Sequence, residues 1–127
     1  MVLDMITLTE AKSRGVYFHS QGFTCAQSVV KAYSEYVRID CSQLVSATIA
    51  FGSGLNSGCV CGSLAGAEML IGLKYANEPA TAKMKSKLFH DKFRERFGAT
   101  CCRVIRGKEK GICSKTIEFA IELLDSL

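Results

Sequence analysis

A glycine-rich stretch in the middle of the chain places one thiol directly at the start of a predicted helix. Residues 51–66 read FGSGLNSGCVCGSLAG, and Cys61 opens the helix that follows the loop. The unpaired N–H groups and the positive end of the helix dipole stabilise a thiolate at such a position. Thiolate is the form that attacks disulfides and binds soft metals. The sequence therefore predicts redox or metal chemistry at Cys61, and it predicts that Cys61 is the best-ionised thiol.

Helical spacing of apolar residues runs through most of the chain. The predicted helices cover residues 9–20, 25–37, 42–51, 61–76, 79–97 and 115–127, with a short turn or helical piece before the last one. Thr9, Thr24 and Ser114 are the predicted N-caps, and Gly98 ends the fifth helix. Only residues 42–51 would also suit a strand. We therefore expect an all-α fold, an irregular bundle of five to six helices in a single domain, residues 1–127.

Three of these helices have a predicted inward face that includes or adjoins a cysteine. The second helix carries the stripe Cys25, Val29, Ala32 and Tyr36, so Cys25 points inward in its first turn. The fourth helix carries the stripe Cys61, Ala65, Met69 and Gly72, and the last helix carries Ile117, Ala120, Ile121 and Leu124. Cys113 lies four residues before Ile117, so the same face extended backwards includes it. Gly62 and Gly66 form a small-xxx-small pair, which permits another helix to approach closely.

Composition excludes several classes of protein. Seven cysteines leave at least one thiol unpaired, and a chain of 127 residues can bury a core without cross-links. The start of the chain lacks the pattern of a secretory signal, so we expect a cytoplasmic protein with reduced thiols. The most apolar run, residues 59–73, is shorter than the ~18 residues of a membrane span. A net charge of +4, without interleaved aromatic residues, argues against nucleic-acid binding.

Four cysteines each precede or open a predicted helical segment. They are Cys25, Cys61, Cys102 and Cys113. Iron-sulfur clusters take cysteine thiolates, and the four basic residues between Cys102 and Cys113 would offset the negative charge of a cluster. The spacing of the cysteines matches neither the short ferredoxin run nor the paired CxxC motifs of structural zinc sites.

Two further interpretations stay open. Thiols close in sequence, at residues 59 and 61 and at 101 and 102, suggest thiol-disulfide exchange, in which one thiolate attacks and a neighbour resolves the intermediate. Buried cysteines also act as small hydrophobic residues, which would leave a non-catalytic interaction module. A dinucleotide-binding loop is disfavoured, because Ser57 stands where the G-x-G-x-x-G pattern needs glycine.

Four segments together resemble the C_GCAxxG_C_C family of redox-active proteins. They are GFTCAQSVV, FGSGLNSGCVCGSLAGAEMLIGLKYA, FRERFGATCCRVIRG and CSKTIEFAIELL. The resemblance runs from about residue 10 to residue 124. Ser63 stands where the family motif has alanine, and the loop before it is less rich in glycine than is typical of the family.

The resemblance implies a small bacterial protein with redox-active cysteines. Carried over residue by residue, the four family cysteines fall on Cys25, Cys61, Cys102 and Cys113. The remaining thiols, Cys41, Cys59 and Cys101, lie outside the family pattern. Members of the family occur beside transporter genes, which implies association with a membrane transporter.

The combined prediction is a cytoplasmic, all-helical protein whose four family cysteines converge on one redox-active site. We expect these cysteines to ligate an iron-sulfur cluster or another soft metal, and otherwise to work without a cofactor. Cys61 and Cys25 are the predicted catalytic thiols. The sequence leaves open the redox partner, self-association into a homo-oligomer, and whether the chain is an enzyme.

Overall fold

Seven α-helices make up most of residues 5–127, the part of the chain that the computed structural model describes. They are α1 (Leu8–Ser20), α2 (Cys25–Val37), α3 (Ser42–Ala47), α4 (Gly62–Lys74), α5 (Pro79–Phe97), α6 (Cys102–Arg106) and α7 (Ile112–Ser126). A 3₁₀ turn, Thr48–Phe51, and a π-helical segment, Gly54–Gly58, connect α3 to α4. The prediction of an all-α irregular bundle is confirmed. The helices slightly outnumber the expected five to six, because residues 102–106 form a short helix of their own.

Capping side chains set the starts of the first two helices. Thr24 and Gln27 form a capping box, in which each side chain accepts a hydrogen bond from the other residue's backbone N–H at 3.1 Å. This confirms the predicted cap of α2. The predicted Thr9 cap of α1 is wrong, because Thr7 and Glu10 form the capping box instead.

The last helix begins earlier than predicted. Gly111, at a φ of 78°, precedes α7, so Ser114 lies inside the helix and the predicted Ser114 cap is wrong. Ile112 is buried in the core, and this packing extends the helix backwards. Cys113 consequently lies in the first turn of α7. By contrast, Gly98 ends α5 in the left-handed conformation, as predicted.

The core lies between α1, α2, α4 and α7, and α2 contacts each of the other three. α5 closes this core with three phenylalanines at one-turn intervals, which are Phe89, Phe93 and Phe97. The predicted stripe of α7 is buried as expected, at Ile117, Ala120, Ile121 and Leu124. Within residues 5–127, every helix is too short or too polar to cross a membrane.

The buried face of α4 differs from the predicted one. Gly72 is exposed, and Ala65 and Met69 are half-buried. The residues that α4 buries are Gly62, Ser63, Leu64, Gly66, Ala67, Leu70 and Ile71. The prediction was wrong because it took the face from Cys61, whereas the two glycines decide which side of α4 meets α2.

Gly66 marks the closest approach of these two helices. A Cβ at residue 66 would lie 2.8 Å from the Ala26 carbonyl oxygen and 3.2 Å from the Ala26 Cα. Both neighbours belong to the backbone, so neither can move aside as a flexible side chain could. The predicted role of the small-xxx-small pair in close helix approach is confirmed.

We expect Gly66→Ala to lower the free energy of unfolding by about 1–3 kcal/mol, because the added methyl group forces α2 and α4 apart. Gly72→Ala is the matched control in the same helix, since nothing lies within 4 Å of a Cβ there. It should raise the free energy of unfolding by about 0.5–1 kcal/mol through helix propensity. Urea denaturation of both variants checks this, and equal effects at the two positions would contradict the close approach.

Candidate thiol site

Cys25 and Cys61 meet where α2 and α4 begin. Cys25 is the first residue of α2 and is 8% exposed, and Cys61 directly precedes α4 and is 5% exposed. A side chain at residue 62 would overlap the Cys25 sulfur. The backbone of α4 therefore packs directly against this thiol, and Gly62 is what allows the two cysteines to approach.

A short antiparallel backbone contact joins the segment before α4 to the segment before α6. Val60 and Cys101 form an isolated bridge pair. On one side of this pair the Cys61 N–H donates to the Thr100 carbonyl at 2.8 Å, and on the other the Cys102 N–H donates to the carbonyl of residue 59. This contact holds the start of α6 beside the start of α4.

Burial controls the ionisation of Cys61. It raises the pKa of this thiol to about 11, although the backbone amides of Leu64 and Ser63 and the hydroxyl of Thr116 lower it. A negative charge on Cys25 acts with burial and raises the pKa of Cys61 further. The prediction that Cys61 is the best-ionised thiol is therefore wrong. Its helix start does favour the thiolate, but the loss of hydration costs more.

In the first turn of α7, opposing effects also set the pKa of Cys113. Burial is the main cause that raises the pKa of this half-buried thiol. Negative charges on Cys25 and Cys102 raise the pKa of Cys113 as well, while the positive charge of Arg106 lowers it. The Arg106 guanidinium is thus the one basic group that favours the Cys113 thiolate among the causes of its shift.

These electrostatic couplings connect the four predicted site cysteines in a chain. Cys25 is coupled to both Cys61 and Cys113, and Cys113 is also coupled to Cys102. Charges act on one another this way when they are near each other and poorly screened by water. Cys25 is thus near enough to Cys61 and to Cys113, and Cys102 is near enough to Cys113, for their charges to act on one another.

Two buried hydroxyl groups link the cysteine-bearing helices α4 and α7. Ser63 Oγ and Thr116 Oγ1 are 2.9 Å apart, and Thr116 donates to the Cys113 carbonyl at 2.7 Å. Since Thr116 has one hydroxyl proton, Ser63 is the donor of the bond between them. Ser63, which replaces the motif alanine, thereby joins the two helices. Thr116 was not predicted from sequence, although it follows Cys113 by three residues and so shares its helix face.

The same four thiols do not form a metal-binding group. Within residues 5–127, no three His, Cys, Asp or Glu side chains come together in a group that could hold a metal ion. An iron-sulfur cluster needs several thiolates directed at one assembly. The placement of Cys25, Cys61, Cys102 and Cys113 therefore does not fit the predicted cluster.

The cysteines outside the family pattern occupy different surroundings. Cys101 Sγ donates to the Gly58 carbonyl at 3.0 Å, which ties it to the glycine loop. Cys59 is exposed, and Cys41 is buried directly before α3. None of these three thiols is among the causes that shift the pKa of Cys61 or Cys113.

Comparison with known proteins gives one match. The model of a family described as "Putative redox-active protein (C_GCAxxG_C_C)" matches residues 23–127, which include all four site cysteines. Neither the curated proteins nor the solved structures gave a match to the chain.

The raised pKa of Cys61 predicts how stability depends on pH. An unfolded chain releases this proton near the ordinary value of 9.0, whereas the folded protein holds it to about 11. The thiol therefore contributes stability that is complete below pH 9 and is lost as the pH rises to about 11. The loss should be on the order of 2–3 kcal/mol.

Urea denaturation between pH 8 and pH 11 tests this in matched variants. Cys61→Ala should remove this part of the pH dependence, whereas Cys59→Ala, which removes an exposed thiol, should retain it. Tyrosine and lysine side chains also titrate at high pH, but they do so in every variant. Their effect on stability therefore cancels when the variants are compared. An unchanged slope in Cys61→Ala would show that burial does not hold the proton on this thiol.

Proposed function

Since its family model covers residues 23–127, the chain belongs to the C_GCAxxG_C_C redox family, and we propose that it is a thiol-disulfide redox protein. In this proposal Cys25, Cys61, Cys102 and Cys113 exchange electrons in pairs by forming and breaking disulfides. Cys25 and Cys61 are the thiols that we expect to form the innermost pair. No cofactor is required for this chemistry.

The packing of Gly62 against the Cys25 sulfur, next to Cys61, carries this proposal together with the action of the Cys25 charge on Cys61 and Cys113. A redox pair needs a second thiol near the first, because the mixed intermediate must be resolved within the same molecule. Cys25 supplies such a neighbour to both Cys61 and Cys113. Cys25, Cys61 and Cys102 are 8%, 5% and 5% exposed and Cys113 is half-buried, so the site is shielded from unspecific oxidants.

The exchange reaction needs only the protein thiols and an external disulfide for its atoms and electrons to balance. A protein thiolate attacks an external disulfide, so that one sulfur-sulfur bond breaks, a mixed disulfide forms and one thiolate leaves. A second protein thiolate then displaces the remaining half and closes an internal disulfide. The protein loses two electrons and two protons, and the external disulfide becomes two thiols.

The surroundings of Cys61 favour disulfide exchange within the protein over attack by a solvent-exposed Cys61 thiolate. Burial keeps Cys61 protonated at neutral pH, since its pKa is about 11. Attack therefore begins at another of the site thiols, and Cys61 receives the disulfide by exchange within the protein. The proposal places the protein in the cytoplasm, where thiols are kept reduced.

Oxidation of the anaerobically purified protein with diamide tests the proposal. We expect the wild type to lose at least two thiols per chain, and peptide mapping should place the new disulfide among the four site cysteines, with Cys25 as one partner. Cys25→Ser should lose fewer thiols than the wild type. Cys41→Ser is the matched control, because Cys41 is 7% exposed and Cys25 is 8% exposed. It should behave like the wild type.

Three outcomes would overturn the proposal. Stoichiometric iron and acid-labile sulfide in protein prepared without oxygen would favour the iron-sulfur interpretation. An unchanged thiol count after diamide would leave the interaction module as the better interpretation. Loss of thiols only at Cys41, Cys59 or Cys101 would likewise contradict a role for the four family cysteines.

A further inference from the structure

A solvent-open cleft lies beside Cys102, between the π-helical segment and α6. Its volume is about 320 Å³, and it is lined by Ser53, Asn56, Gly58, Cys102, Arg103 and Arg106. A Cβ at Gly54 would lie 2.7 Å from the Cys102 Cβ, so the loop packs closely on this cysteine. Cys102 lines this cleft, and its total exposure is 5%.

The charge in this cleft is entirely positive. Arg103 and Arg106 are the charged residues that line it, and its lining includes neither Asp nor Glu. Arg103 Nη2 donates to the Ser57 carbonyl at 3.0 Å, which holds its guanidinium against the loop. Among residues 5–127, no carboxylate forms a salt bridge with either arginine. Their remaining donors are free to bind an anion.

The same cleft is connected to the thiol site through Arg106. This guanidinium lines the cleft and also acts on Cys113, which is coupled in turn to Cys102 and Cys25. An anion bound by the two arginines would therefore lie beside Cys102, one of the four site cysteines. The polar side chains of Ser53 and Asn56 complete a lining suited to an oxyanion rather than to an apolar group.

We propose that this cleft binds the carboxylate of a small anionic disulfide, which presents its sulfur-sulfur bond to Cys102. The inference rests on the proposed function and names its substrate class. Arg103 and Arg106 pair with the carboxylate, and the volume of the cleft admits a group about the size of one amino acid. Cys102 is the attacking thiol, and Cys113 resolves the intermediate.

Each step of this reaction is balanced. The Cys102 thiolate attacks the near sulfur of the substrate, the substrate's sulfur-sulfur bond breaks, and the far half leaves as a thiolate. The Cys113 thiolate then attacks the Cys102 sulfur, releases the second half and forms the Cys102–Cys113 disulfide. The two protons of the protein thiols pass to the two released thiolates, and the substrate gains two electrons.

Two small disulfides separate this inference from the function on which it rests. The probes are 3,3′-dithiodipropionate, which carries two carboxylates, and bis(2-hydroxyethyl) disulfide, which is neutral. The measurement is the rate at which the reduced wild-type protein forms the Cys102–Cys113 disulfide, followed by mass spectrometry after alkylation of the remaining thiols. We expect the anionic probe to react faster, and its advantage should shrink at high ionic strength.

Arg106→Gln should lower the ratio of the anionic rate to the neutral rate by about tenfold, the effect of losing one charge-assisted hydrogen bond. The ratio cancels any change in thiol ionisation or folding, since both probes report on the same thiol. Arg103→Gln should lower the ratio as well, and Arg106→Lys should restore part of it. Lys110→Gln is the matched control, because it removes an exposed charge from the same segment outside the cleft.

The outcomes are distinct. If both probes react with the wild type at rates whose ratio is the same in Arg106→Gln, Arg103→Gln and Lys110→Gln, the anion site is wrong while the redox function stands. If neither probe reacts with any of the four site cysteines, the proposed function fails together with this inference. Reaction at the exposed Cys59 instead of Cys102 would also overturn the assignment of the cleft.

Discussion

The close approach of α2 and α4 is the constraint on which the rest of the site depends. Gly62 lies against the Cys25 sulfur, and Gly66 lies against the Ala26 backbone, so a side chain at either position would separate the helices. This contact brings together two cysteines that are far apart in the sequence. The thiol site is therefore a product of backbone packing, and the two glycines contribute to it as directly as the cysteines.

Burial and helix position act in opposite directions on the innermost thiol. The start of α4 offers Cys61 amides that favour the thiolate, yet burial raises its pKa to about 11. The free-energy cost of removing the thiolate charge from water is larger than the stabilisation that the nearby amides provide. A thiol of this kind stays protonated at neutral pH, so the proposed exchange begins at another of the site thiols.

Periodicity and capping residues were enough to predict most of the fold. The Thr24 cap, the Gly98 end of α5 and the buried stripe of α7 follow from local rules, because each depends on residues within about one helical turn. The errors occurred where distant contacts compete with such rules. Packing of Ile112 moved the start of α7 ahead of Ser114, and contact with α2 turned a different face of α4 inward.

The sequence by itself determined the all-α class, the helix starts that carry thiols, and which four cysteines belong to the family pattern. Tertiary structure alone decided that α4 packs against the Cys25 sulfur, that Thr116 joins α7 to Ser63, and that Arg106 lines a cleft beside Cys102. It also decided the ionisation of Cys61, which the sequence predicted with the wrong sign. The physical reason is that helix formation depends on neighbours along the chain, whereas burial and the meeting of side chains depend on how whole helices pack.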